Sequence, residues 1–155
     1  DDICMQMPLY PMLDDRETET SENNKSPVWN TRSNRAAWKI YLDGEAGKAG
    51  VSPYAAPARR DDLSFLPPAI TVIGTEEPFY KETVDFFDRL RTAGVTVSIK
   101  EFKGAYHAFD MMAPYASVSK RANSFLLSEF DKFLNIEDSG PVEKNMSLKQ
   151  QKDNI

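Results

Sequence analysis

Apolar positions along the chain fall into short continuous runs separated by stripes of helical spacing. Residues 3–10, Ile-Cys-Met-Gln-Met-Pro-Leu-Tyr, form a mostly apolar run that predicts a strand, closed by Pro11. Pro8 has no N–H for a ladder, which suits an edge strand or a bulge. Between Asn30 and Leu42, the spacing of Trp38, Tyr41 and Leu42 predicts a helix, with Ser33 or Asn34 as its cap. Residues 69–73, Ala-Ile-Thr-Val-Ile, lie between Pro67-Pro68 and Gly74 and predict a strand buried on both faces. Pro78 then suits the first turn of a helix. In that helix Phe79, Thr83, Phe86, Phe87 and Leu90 make one stripe, with Asp85 and Arg89 paired outside and Gly94 as the stop. Residues 95–102 alternate, with Val95, Val97 and Ile99 on one face and Thr96, Ser98 and Lys100 on the other, as in a strand near a sheet edge. Val118, Ala122, Phe125, Leu126 and Phe133 form a last helical stripe ending near Asn135.

The order strand–helix repeated predicts an α/β fold with about three parallel strands and flanking helices. Residues 1–135 make one unit, and residues 136–155 read as a polar, disordered tail. Two stretches carry no regular pattern. Residues 14–25 read as a solvated acidic loop, in which Asp14 and Asp15 name no basic partner. Residues 43–68 form a long Gly-, Pro- and Ala-rich connection, the kind that often serves as a lid or binding loop. Gly44-Glu-Ala-Gly47-Lys48 lacks the spacing and the preceding strand of a phosphate loop.

Candidate chemistry gathers at two strand ends. His107 is the only histidine and lies in Phe102-Lys-Gly-Ala-Tyr-His-Ala-Phe-Asp110, just beyond the strand over 95–102. Helices cover the faces of such a sheet and leave strand ends free for ligands and catalysis. Its imidazole is the one side chain whose ordinary pKa suits acid–base work near neutral pH. A solvated surface histidine is the other reading. Glu76 and Glu77 follow the preceding strand, so neighbouring parallel strands would bring a carboxylate to the same sheet edge as His107. A carboxylate on one imidazole nitrogen fixes the tautomer and leaves the other nitrogen as base. Alternatively, the two glutamates merely favour a helix N-terminus.

Composition narrows the classes. The chain has 155 residues, 41% apolar and 28% charged, in the range of a globular domain. A net charge of −5 argues against nucleic acid. No apolar run reaches membrane-spanning length, and no basic-then-apolar leader opens the sequence, so a cytoplasmic protein is expected. One cysteine, Cys4, and one histidine allow neither a disulfide nor a zinc site, and no cofactor or metal is expected. Asn24-Lys-Ser26 and Asn145-Met-Ser147 fit a glycosylation pattern that has no role without a leader.

A series of motifs then sharpens the picture: Leu9-Tyr-Pro-Met-Leu-Asp-Asp-Arg16, Pro27-Val-Trp29, Ser33-Asn-Arg35, Tyr54-Ala-Ala-Pro-Ala-Arg59, Asp62-Leu-Ser64, Leu66-Pro-Pro-Ala69, Gly74-Thr-Glu-Glu77, Ala93-Gly-Val95 and Gly104-Ala-Tyr-His-Ala-Phe109. Their order and spacing over residues 3–135 resemble the C-terminal half of the hormone-sensitive-lipase-like esterases, the third group of α/β-hydrolase enzymes. The resemblance implies that His107 is the triad histidine and Glu77 its acid, with Glu76 a weaker substitute. The family pattern is His-Gly-Phe, so Ala108 replaces a glycine and is expected to crowd the loop. The family acid is usually Asp, and Glu77 is one methylene longer, although the fold accepts either. Trp29, Trp38 and Tyr54 are candidates to line an acyl or alcohol pocket, or to pack in the core.

Two family signatures are missing from these residues. No serine has glycine at both −2 and +2, and no His-Gly-Gly-Gly loop occurs. Acyl transfer needs both a nucleophile and oxyanion donors. The expectation is therefore a carboxylesterase-family chain, inactive alone, whose substrate would be a small acyl ester once another chain supplies the serine. The alternative is a non-catalytic, oligomerising module derived from an esterase. In the family fold, the strand over 3–10 would border the missing nucleophile strand and leave an open, apolar edge that invites self-association.

Overall fold

A computed structural model of the chain describes residues 3–138. Its centre is β1 (Ala69–Gly74), every residue of which is buried. β2 (Val97–Phe102) pairs with it in parallel, with Ala69 opposite Val97 and Gly74 opposite Phe102. A parallel pair needs a crossover, and α2 (Tyr80–Thr92) supplies it. From α2, Phe86, Phe87 and Leu90 pack with Leu13, Leu63, Ala69 and Val95. α4 (Ser117–Asp138) contributes Ala122 and Leu126 to a second cluster with Ile70, Val72 and Phe102. Ala69 and Ile70 fall in different clusters because successive strand side chains point to opposite faces. The result is a helix–sheet–helix stack, as the alternation of patterns predicted.

The sheet has two strands where about three were expected. Residues 3–10 run beside β1 but make only one parallel bridge, Gln6 with Ala69. Gln6 N–H donates to Pro68 O at 2.9 Å, and Ile70 N–H to Gln6 O at 3.0 Å. The next rung would require an N–H from residue 8, which Pro8 lacks. The carbonyl of Pro8 instead accepts from the Thr71 hydroxyl.

Three local expectations also change. α1 (Thr31–Tyr41) is capped by Asn30, whose side chain accepts from Arg32 N and Ser33 N, and not by Ser33 or Asn34. α2 begins at Tyr80, so Pro78 lies in the preceding turn. Arg89 does not pair with Asp85. It donates to the carbonyls of Ala58 and Arg60, while Lys81 takes Asp85.

The two unpatterned stretches are tied to each other. Asp15 is buried and meets Arg59 in a bidentate ion pair, while Gly47 N–H donates to Asp15 Oδ2 at 2.6 Å. Val51 and Ala56 pack on Trp38, and Leu63 enters the main core. The connection over 43–68 is thus fastened to the body along its length. The expected tail over 136–155 lies almost wholly outside the described residues. α4 continues to Asp138, beyond the expected end at Asn135.

Candidate active site

β1 and β2 end at the same edge of the sheet, and their loops are stitched together. Thr75 N–H donates to Phe102 O at 3.1 Å, Glu76 N–H to Ala105 O at 3.0 Å, and Gly104 N–H to Thr75 Oγ1 at 2.9 Å. These bonds fix the turn that carries Glu77 against the turn that carries His107. Glu77 lies at 0% exposure, and its Oε2 is 2.8 Å from Nδ1 of His107. With the carboxylate as acceptor, the imidazole proton sits on Nδ1, and Nε2 carries the free lone pair. The His107 side chain is 17% exposed. Burial pushes the Glu77 carboxyl upward, and the hydrogen bond and charge of His107 pull it part of the way back.

Spacing left Glu76 and Glu77 as competitors, and the fold separates them. The Glu76 carbonyl accepts from Asn24 Nδ2 and Ser26 Oγ, and its carboxylate lies beside Thr75 in an exposed position. Only Glu77 meets the imidazole.

Aromatic rings surround His107. Tyr10 stands at 4.9 Å between centroids and 73° between planes, Phe79 at 5.3 Å and Trp29 at 5.6 Å. Of the aromatic residues named from the sequence, Trp29 therefore borders the imidazole. Trp38 is core, packed with Val51 and Ala56. Tyr54 is 90% exposed.

Ala108 adopts the left-handed conformation, with φ 56° and ψ 30°. An L-residue there costs about 1–2 kcal/mol, which glycine avoids. The expected crowding is thus a backbone strain just after His107, followed by the short helix α3 (Phe109–Met112). In the sequence Tyr10 stands only as the end of a predicted strand and as part of a motif. No local signal places it on His107, because its turn has a φ of 36° that bulky residues rarely adopt. Among the described residues, no group of three His, Cys, Asp or Glu side chains is placed to hold a metal ion. None of their helices is long and apolar enough to cross a membrane.

The chain is thus a parallel sheet between helices, with an acid after one strand and a histidine after the next, joined at the same sheet edge. The alpha/beta hydrolase fold family matches residues 1–111, and the chain belongs to that family, within its hormone-sensitive-lipase-like esterases. It is similar to a bacterial heroin esterase, with 32% identity and a TM-score of 0.76, over 85% of this chain and 43% of that one. Esterase LipW from Mycobacterium marinum shares 32% identity at a TM-score of 0.71, over 77% of this chain and 37% of that one. Carboxyl esterase 2 from the mycorrhizal fungus Tuber melanosporum shares 26% identity at a TM-score of 0.76, over 84% and 45%. The chain thus spans less than half the length of these esterases. No curated protein matches it in sequence.

Proposed function

We propose that His107 and Glu77 are the base and orienting acid of a serine carboxylesterase site, and that these 155 residues hydrolyse esters only when another segment supplies the serine and oxyanion donors. The 2.8 Å contact between Glu77 and Nδ1 supports this reading most directly, because it holds the tautomer in which Nε2 is the base. The serine O–H would give its proton to Nε2 as its oxygen bonds to the ester carbonyl carbon. The tetrahedral species would then collapse, with the alcohol leaving as Nε2–H returns the proton. Water repeats the two steps on the acyl-enzyme and frees the acid. Glu77 stays ionised throughout and steadies the imidazolium. The substrate class is the carboxylic ester of a short or medium acyl chain.

Hydrolysis of p-nitrophenyl butyrate tests it. The chain alone is expected to show no hydrolysis that depends on His107. With a co-purified partner carrying a Gly-x-Ser-x-Gly segment, hydrolysis should appear, and His107→Ala should abolish it. Activity that survives that substitution would reject the assignment.

A second reading rests on the bridge side of β1. Ile3, Met7 and Leu9 are exposed along a segment joined to the sheet by one rung. Such an edge favours association with another chain, whether or not chemistry follows. A monodisperse monomer by light scattering would count against it.

A further inference from the structure

Tyr10 is a non-glycine residue at positive φ, and a bulky aromatic holds that conformation only where its surroundings over-determine it. Here they do so on both sides. Upstream, the Pro8 carbonyl is tied to the Thr71 hydroxyl of β1. Downstream, Leu13 N–H and Asp14 N–H both donate to Glu82 Oε1 of α2, at 2.6 and 3.2 Å. Between these anchors the chain turns sharply and delivers the Tyr10 ring to His107 in a T-shaped contact at 4.9 Å. The phenol is pushed up to about 12, first by burial and then by the nearby carboxylates of Asp110 and Glu77. It therefore stays neutral at and well above neutral pH.

A single hydrogen bond at Nδ1 leaves the imidazole free to tilt about the N–O line. Phe79 and Trp29 meet the ring as well, at 5.3 and 5.6 Å, both farther than Tyr10, and Trp29 follows Val28, itself at φ 69°. We propose that Tyr10 is a positioning residue: its ring, fixed by the strained turn, keeps His107 on Glu77 and keeps Nε2 presented outward. The inference rests on the esterase reading for its purpose. The orientation itself is read without any reaction.

His107 is the only histidine of the chain, so its imidazole resonances identify themselves. Proton–nitrogen correlation spectra of the 15N-labelled chain report which nitrogen of the neutral ring carries the proton. Wild type and Tyr10→Phe are expected to hold it on Nδ1. In Tyr10→Ala the Nδ1–H share should fall at least about twofold, as the ring leaves its acceptor. Tyr10→Leu keeps the apolar volume without the planar ring and should fall likewise, which decides the matter if Tyr10→Ala does not fold. Trp38→Phe, in a different core cluster, should change nothing at the imidazole. A folded Tyr10→Leu that keeps the wild-type tautomer would overturn the proposal. So would a loss in Tyr10→Phe, which would transfer the role from the ring to the hydroxyl. A wild-type proton on Nε2 would instead sink the Glu77–His107 assignment, so the two failures are distinguishable.

Discussion

Gly74 lies so close to Ala105 that a Cβ built on it would sit 2.2 Å from the Ala105 carbonyl oxygen. That oxygen is also the acceptor of Glu76 N–H. The end of β1 and the loop before His107 can therefore approach only because residue 74 has no side chain. The collision would be with backbone, which cannot rotate aside. Gly74→Ala is expected to destabilise the fold by about 3 kcal/mol or more, or to prevent folding, as overpacking against rigid backbone does. Urea unfolding measures it, and a loss below about 1 kcal/mol would show that the loops part easily.

Ala108 makes the opposite prediction. Its left-handed backbone carries a Cβ that the conformation disfavours. Ala108→Gly should gain about 1 kcal/mol of stability, less whatever the unfolded glycine gains in freedom. The midpoint of urea denaturation should rise with an unchanged slope.

Glu82 predicts a dependence on pH. Its carboxyl is buried in α2 and pushed up to about 8 by that burial, with the Leu13 and Asp14 N–H groups pulling it back. The unfolded group titrates near its ordinary value of 4.5. Between those values the folded chain keeps a proton that the unfolded chain releases. Stability is therefore full below the lower value and is lost as pH rises through about 8, by up to ~1.4 kcal/mol per pH unit. Glu82→Gln retains an acceptor for both N–H groups and cannot ionise, so unfolding measured across this window should flatten. Glu77, also raised by burial, acts in the same direction and is present in both proteins. An equal slope in the two would remove Glu82 as the cause.

Glu77→Gln tests the acid of the proposed site. An amide offers Nδ1 a donor as readily as an acceptor and can turn the imidazole to the wrong tautomer. In a preparation that hydrolyses p-nitrophenyl butyrate, kcat/KM should fall by roughly 10²–10⁴. Wild-type turnover would leave Glu77 with a structural role only.

Much of this architecture was legible in residue order. The run over 69–73, bounded by prolines and a glycine, predicted a strand covered on both faces, and β1 is buried throughout. The stripe of Phe79, Thr83, Phe86, Phe87 and Leu90 is buried as its spacing required. The misplacements have local causes. Pro8 stopped a ladder that apolar content alone would have continued. Arg89 found backbone carbonyls of a loop, which no i,i+4 rule foresees.

By itself the sequence determined that one imidazole is available, that it follows a strand, and that a carboxylate follows the strand before. Those are facts of composition and of short-range period, written in neighbouring residues. Only the tertiary structure decided that Glu77 and not Glu76 faces His107, that Asp15 answers Arg59, and that Tyr10 closes on the imidazole. Each of these joins segments far apart in the chain, and their meeting depends on backbone turns and strand register that no local pattern encodes.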